Sequence, residues 1–137
     1  MNIIFVDTSG FVDLIDKKGA KFEIVAKGFQ DAISGGNLLV TTDYVLDELF
    51  TFMRCREKLP ISDLVKFVDN VNVSNIEVVG ITKELFQESL ITMGKYSDKY
   101  FSFTDCISFT VMKDMGIKDF IGTDKHFEAA GFKKLLK

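Results

Sequence analysis

The sequence predicts an α/β fold, a mainly parallel central sheet flanked by helices on both faces, and three observations predict it. Short runs of β-branched and aromatic residues recur at Ile3–Val6, 38–40, Ile76–Val79 and 120–121. Longer stretches with apolar residues at helical spacing lie between those runs. A length of 137 residues with 47% hydrophobic composition and a single proline suits one domain, residues 1–137, with few forced breaks. Buried strands that alternate with helices are joined by right-handed crossovers, and that pairs the strands in parallel.

The first run, Ile3 to Val6, is wholly apolar, as a strand covered on both faces must be, and it ends in Asp7-Thr8-Ser9-Gly10, a turn into a helix. Helical stretches follow at about 12–16 and 22–33, then the second strand, then helices at 43–58 and 61–71. The third strand leads to a helix at 85–96 and another at Phe103–Met115, before the fourth strand at 120–121. Ligands of such sheets bind beyond the carboxyl ends of the strands. Asp7 follows the first strand and Asp124 the last of these four.

Four acids could converge there. Asp7 could cap the next helix, but Thr8 or Ser9 could do so without it. In the helix 43–58, Val45, Leu46, Leu49, Phe52 and Met53 form an apolar arc, from whose middle Glu48 lies about 120° and Asp47 about 140°. Periodicity does not choose between those two and reads both as solvated. The segment Phe103–Met115 is apolar nearly all round, so it is buried, and Asp105 shares a stripe with Phe109 and Met112. A buried carboxylate needs a partner or a cation, although Ser102-Phe103-Thr104-Asp105 also fits a capping box. Asp124 is either a cap or a second acid at the edge that Asp7 occupies.

Several carboxylates at one edge raise one another's pKa unless a cation joins them. No His/Cys cluster of zinc spacing occurs, and the lone His126 reads as structural or exposed rather than as a ligand. Oxygen donors alone point to Mg²⁺ or Mn²⁺, whose usual work is phosphoryl chemistry. The net charge of −3 argues against a domain that holds nucleic acid by charge alone. Lys17, Lys18 and Lys21, and Arg54, Arg56 and Lys58, are candidate phosphate contacts. Cys55 and Cys106 both fall in helical segments and are expected to pack as small hydrophobes in a reducing compartment. No stretch approaches the roughly 18 apolar residues of a membrane span, so a soluble, cytoplasmic protein is expected.

The succession Val6-Asp7-Thr8-Ser9, then Tyr44-Val45-Leu46-Asp47-Glu48-Leu49, then Phe101 to Phe109 around Asp105, then Asp124-Lys125-His126-Phe127 resembles the PIN-domain nucleases. Within that family it is most similar to the VapC-type toxins of prokaryotic toxin-antitoxin pairs. The resemblance runs from Ile3 to about Leu135 and includes Gly131-Phe132. It implies a compact PIN-like domain, a Mg²⁺ or Mn²⁺ site of Asp7, Glu48, Asp105 and Asp124, and metal-dependent hydrolysis of RNA. It favours Glu48 over Asp47 and gives Thr8 the role of supporting the first acid; Asp98, seven residues before Asp105, reads first as a solvated loop charge and second as an auxiliary acid. A cognate antitoxin and a homodimer are the partners it implies. Many relatives carry Thr or Ser two residues before the last acid, where this chain has Gly122 followed by Thr123.

Other functions fit less well. An aspartyl-nucleophile phosphatase repeats an acid two residues after the first, where Ser9 stands, and no Gly-rich phosphate loop follows the first strand. A non-catalytic RNA-binding or scaffolding PIN-like domain would be marked by loss of the acids, and all four are present. A metal-dependent DNase is a further alternative, since nothing in the sequence reads the sugar.

Overall fold

The computed structural model describes residues 2–74 and 76–136, and the side chains of these except at 72 and 73. Its strands are β1 (Ile3–Val6), β2 (Leu38–Thr42), β3 (Ile76–Val79), β4 (Asp119–Ile121) and β5 (Lys133–Lys134). They form one sheet in the order β3-β2-β1-β4-β5, with every neighbouring pair parallel. The helices are α1 (Thr8–Ile15), α2 (Phe22–Ser34), α3 (Asp43–Cys55), α4 (Ile61–Val73), α5 (Lys83–Lys95), α6 (Phe103–Met115) and α7 (Lys125–Ala129). The α/β class and the parallel sheet are as the sequence predicts.

The apolar runs form the centre of the sheet because only there are both faces covered. Phe5, Val6, Leu39, Val40, Phe120 and Ile121 are wholly buried. The chain leaves β1 toward β2 and β3, whereas β4 and β5 lie on its other side. The gap between the carboxyl ends of β1 and β4 is therefore the topological switch point, where a crevice opens. Register sets what meets there: Val6 pairs with Ile121, and the Asp7 amide donates to the Ile121 carbonyl at 3.1 Å.

Hydroxyl side chains start three of the helices. Thr42, Thr82 and Ser102 each accept the amide three residues on, at 3.0, 3.1 and 3.0 Å, which fixes where α3, α5 and α6 begin. Gly116, at φ 68°, ends α6 in the left-handed conformation.

The differences from expectation lie at element ends. α1 begins at Thr8 rather than near residue 12, because Asp7 is the extended residue before the helix and Gly10 is inside its first turn. A Cβ on Gly10 would lie 2.6 Å from the Ile121 carbonyl oxygen, so glycine lets α1 rest on the end of β4. α3 stops at Cys55 because the chain then turns: the Leu59 amide returns to the Met53 carbonyl at 2.9 Å, and the Arg54 guanidinium donates to the Leu59 carbonyl at 2.7 Å. α7 and β5 are too short to leave a periodic signal. Cys106 is buried as expected, but Cys55 is exposed, since it ends its helix beyond the apolar arc.

A carboxylate and histidine site at the switch point

Asp7 is brought to the site by β1, and its backbone is the N-cap of α1. Its side chain does not cap that helix. Only 3% of the residue is exposed, and the Ser9 hydroxyl donates to its Oδ2 at 2.7 Å. Ser9 in turn accepts the Thr123 amide at 2.9 Å, which ties the first acid to the loop after β4. Gly122 makes room for this: a Cβ there would stand 2.8 Å from Ser9 Oγ and 3.2 Å from Asp7 Oδ2. The space that a Thr or Ser side chain would need at 122 is thus taken by the hydroxyl of Ser9. The Thr8 hydroxyl, expected to support Asp7, is buried without a partner, and the hydroxyl that holds the carboxylate is that of Ser9.

Asp105 enters from the first turn of α6, a helix buried from Asp105 to Met112. Both sequence readings of it hold in part. The Ser102 hydroxyl accepts the Asp105 amide at 3.0 Å, which is the serine half of a capping box, while Asp105 Oδ2 lies 2.8 Å from Nδ1 of His126. Asp124 is a true cap, its Oδ1 accepting the His126 amide at 2.9 Å at the start of α7. The same Oδ1 stands 3.5 Å from His126 Nδ1. Ligand atoms of Asp105, Asp124 and His126 all lie within 4.8 Å of one another.

Burial dominates the electrostatics. Desolvation first, with help from the charges of Asp105 and Asp124 and against the hydrogen bond from Ser9, pushes the Asp7 carboxyl up to about 7. Asp105 is raised too, first by burial. The His126 imidazole is raised mainly by its bond to Asp105. Three acids that repel one another around a common point, one of them cut off from water, are a donor set that a divalent cation would relieve.

The remaining candidates lie around or away from this cluster. Glu48 is half-buried on α3 and Asp47 is exposed, so the fold turns the former inward. Tyr44, one turn before Glu48, packs edge-on against Phe103 at 6.4 Å, which directs that face of α3 toward the start of α6. Glu48 is not within the close set around His126. Asp98 is exposed in the turn between α5 and α6. Lys17 and Lys18 line a groove with Val12, Phe52, Met53 and Leu59, at the far ends of α1 and α3. Eight residues of helix are roughly 12 Å long, so those lysines stand well away from Asp7.

Sequence reasoning missed two members of this arrangement. His126 was read as structural or exposed, and although its side chain is 46% exposed it contacts two of the acids. The signal was its place two residues after an edge acid, at the opening of a helix. Ser9 could have been found by coupling it to Gly122, whose missing side chain makes room for the Ser9 hydroxyl.

A family model described as the PIN domain matches residues 4–133, and the chain belongs to that family. Among curated proteins it is 26% identical to the VapC ribonuclease of Aquifex aeolicus over 128 residues, 93% of this chain and 92% of that one. It is also 26% identical to the 23S rRNA-specific endonuclease VapC20 of Mycobacterium tuberculosis, with 95% of each chain covered. The crystal structure of VapC20, a toxin that cleaves the sarcin-ricin loop, matches 98% of this chain and 99% of that one with a TM-score of 0.83 and 24% identity. VapBC2 of Rickettsia felis, solved bound to a DNA fragment from its promoter, shares the fold at a TM-score of 0.69 and 11% identity, over 98% and 99% of the two chains.

Proposed function

We propose that this protein is a divalent-metal-dependent endoribonuclease of the VapC type, the toxin of a toxin-antitoxin pair acting in the cytoplasm. The observation that carries it is the meeting of Asp7, Asp105 and Asp124 at the switch point, on a chain similar throughout its length to VapC ribonucleases. Asp7, Glu48, Asp105 and Asp124 are the residues proposed to act, with the cation held by the carboxylates. Mg²⁺ or Mn²⁺ would supply charge neutralisation at the phosphodiester and a lowered pKa for the attacking water. Each residue has a definable part. Asp7 is held by the Ser9 hydroxyl and is walled from bulk water, which strengthens its own charge interactions. Asp105 is fixed by the capped start of α6, and Asp124 by its own cap on α7. Without a cation these acids would repel a phosphate, so substrate binding and metal binding are coupled.

An antitoxin is the proposed partner, in keeping with the VapBC character of the Rickettsia relative. Homodimerisation is proposed as well, supported by the exposed apolar Phe86, Leu90, Ile91 and Met93 of α5. The deciding experiment incubates purified protein with labelled RNA and with single-stranded DNA, in Mg²⁺, Mn²⁺ or EDTA. RNA cleavage that needs the cation and is lost in a folded Asp7→Asn variant is the expected result. Activity unaffected by EDTA would sink the proposal, and cleavage of DNA alone would make the protein a DNase.

A further inference from the structure

We infer that His126 is a nitrogen ligand of the cation that the proposed nuclease site holds, and that the site therefore selects Mn²⁺ over Mg²⁺. The inference rests on the metal-dependent reading above and adds a residue and a selectivity to it. Three features carry it.

The first is distance. Nδ1 lies 2.8 Å from Asp105 Oδ2 and 3.5 Å from Asp124 Oδ1. Ligands on adjacent vertices of an octahedral ion with bonds of ~2.1 Å stand about 3.0 Å apart. The two observed separations lie on either side of that value and all three ligand atoms lie within 4.8 Å of one another, so Nδ1 and the two oxygens can converge on one cation once the hydrogen bond from Nδ1 to Asp105 opens.

The second is preorganisation. The imidazole packs on Phe101 with ring centroids 5.0 Å apart, and the next residue, Phe127, is wholly buried among Phe5, Phe109 and Phe120. The amide of His126 is held by Asp124, so acid and imidazole are presented by one turn of α7. The side chain is nevertheless 46% exposed, which leaves a path for an ion from solvent.

The third is donor chemistry. Oxygen-only sites suit Mg²⁺, which binds few protein atoms and keeps its waters, whereas an imidazole donor is of little use to Mg²⁺ and favours first-row transition ions. Among the described residues this is the one close set of acids that includes a histidine.

The test uses the full chain stripped of metal, with Mn²⁺ and Mg²⁺ as probes. Pulsed electron paramagnetic resonance of Mn²⁺ bound to the wild type reads nitrogen coordination directly, and titration of the free-ion signal gives affinity. Two variants separate ligation from positioning. His126→Ala removes both the nitrogen and the bond to Asp105, whereas His126→Asn keeps an amide donor near the place of Nδ1. A nitrogen modulation in the wild type is expected, lost in both variants, with Mn²⁺ affinity falling about tenfold or more and Mg²⁺ affinity nearly unchanged. Mn²⁺ bound with no nitrogen signal would overturn the inference. So would recovery of Mn²⁺ affinity in His126→Asn, which would make the histidine a positioning residue for Asp105. RNA cleavage with normal metal dependence in either case would leave the proposed function standing, while failure of the wild type to bind either ion would overturn both.

Discussion

Asp7 is held in the folded protein with its carboxyl pushed up from 3.8 to about 7, so between those values the native state keeps a proton that the unfolded chain has released. Stability from this group is therefore complete below about pH 4 and is lost as pH rises through 7. In EDTA, melting temperature should fall across that window, and Asp7→Asn should flatten the slope. Asp105, raised for the same first reason, adds to it with the same sign. Mg²⁺ or Mn²⁺ should reduce the fall by binding the ionised form. A wild-type profile that rises with pH in EDTA would show that Asp7 is hydrated in solution. The neighbouring acids on α3 make a second comparison. Glu48→Gln should abolish cleavage in a protein of normal melting temperature, while Asp47→Asn, altering an exposed group, should leave cleavage within about twofold and stability within ~0.5 kcal/mol. Rates measured on both, beside thermal unfolding, decide it, and the reverse outcome would place the functional acid one residue earlier. The helical wheel could not separate these two, because it reports burial against the helix's own core and not a crevice beyond the strand ends.

At the scale of elements, the strands were legible because burial on both faces demands continuous apolar runs, and β1 and β3 fall where the sequence predicts them. The position of Asp7 was legible for a related reason: a polar residue directly after such a run lies at the carboxyl edge of the sheet, whereas Asp124 stands three residues beyond β4 and is placed by its cap on α7. α7 was not legible. Its five residues show no period, and its placement depends on Phe127 filling a pocket made by Phe5, Phe109 and Phe120 from three other elements. That dependence can be measured. Phe127→Ala should cost about 3–5 kcal/mol in chemical denaturation, as expected for a wholly buried aromatic. Because the same residue anchors the turn that presents Asp124 and His126, any folded fraction should also bind Mn²⁺ more weakly. Phe127→Leu, which keeps most of the volume, should recover much of both. Normal metal affinity in folded Phe127→Ala would mean that α7 is positioned by its caps alone.

Over the whole molecule, the crevice is composite: its acids come from opposite ends of the chain, and β4 must pair with β1 before the Ile121 carbonyl can receive the Asp7 amide. A chain ending at 118 lacks β4, α7 and β5 together with Asp124 and His126. Such a fragment should show neither cleavage nor stabilisation by Mn²⁺, as thermal unfolding with and without the ion would reveal, and Mn²⁺ stabilisation of it would place the ion elsewhere. The strand order has a further consequence during synthesis. A nascent polypeptide emerges with Asp7 first and can complete the crevice only after residues 119 to 126 have been made and have left the exit tunnel. The proposed nuclease site is then absent from the growing chain and comes into being only when that late segment docks beside the strand that was made first.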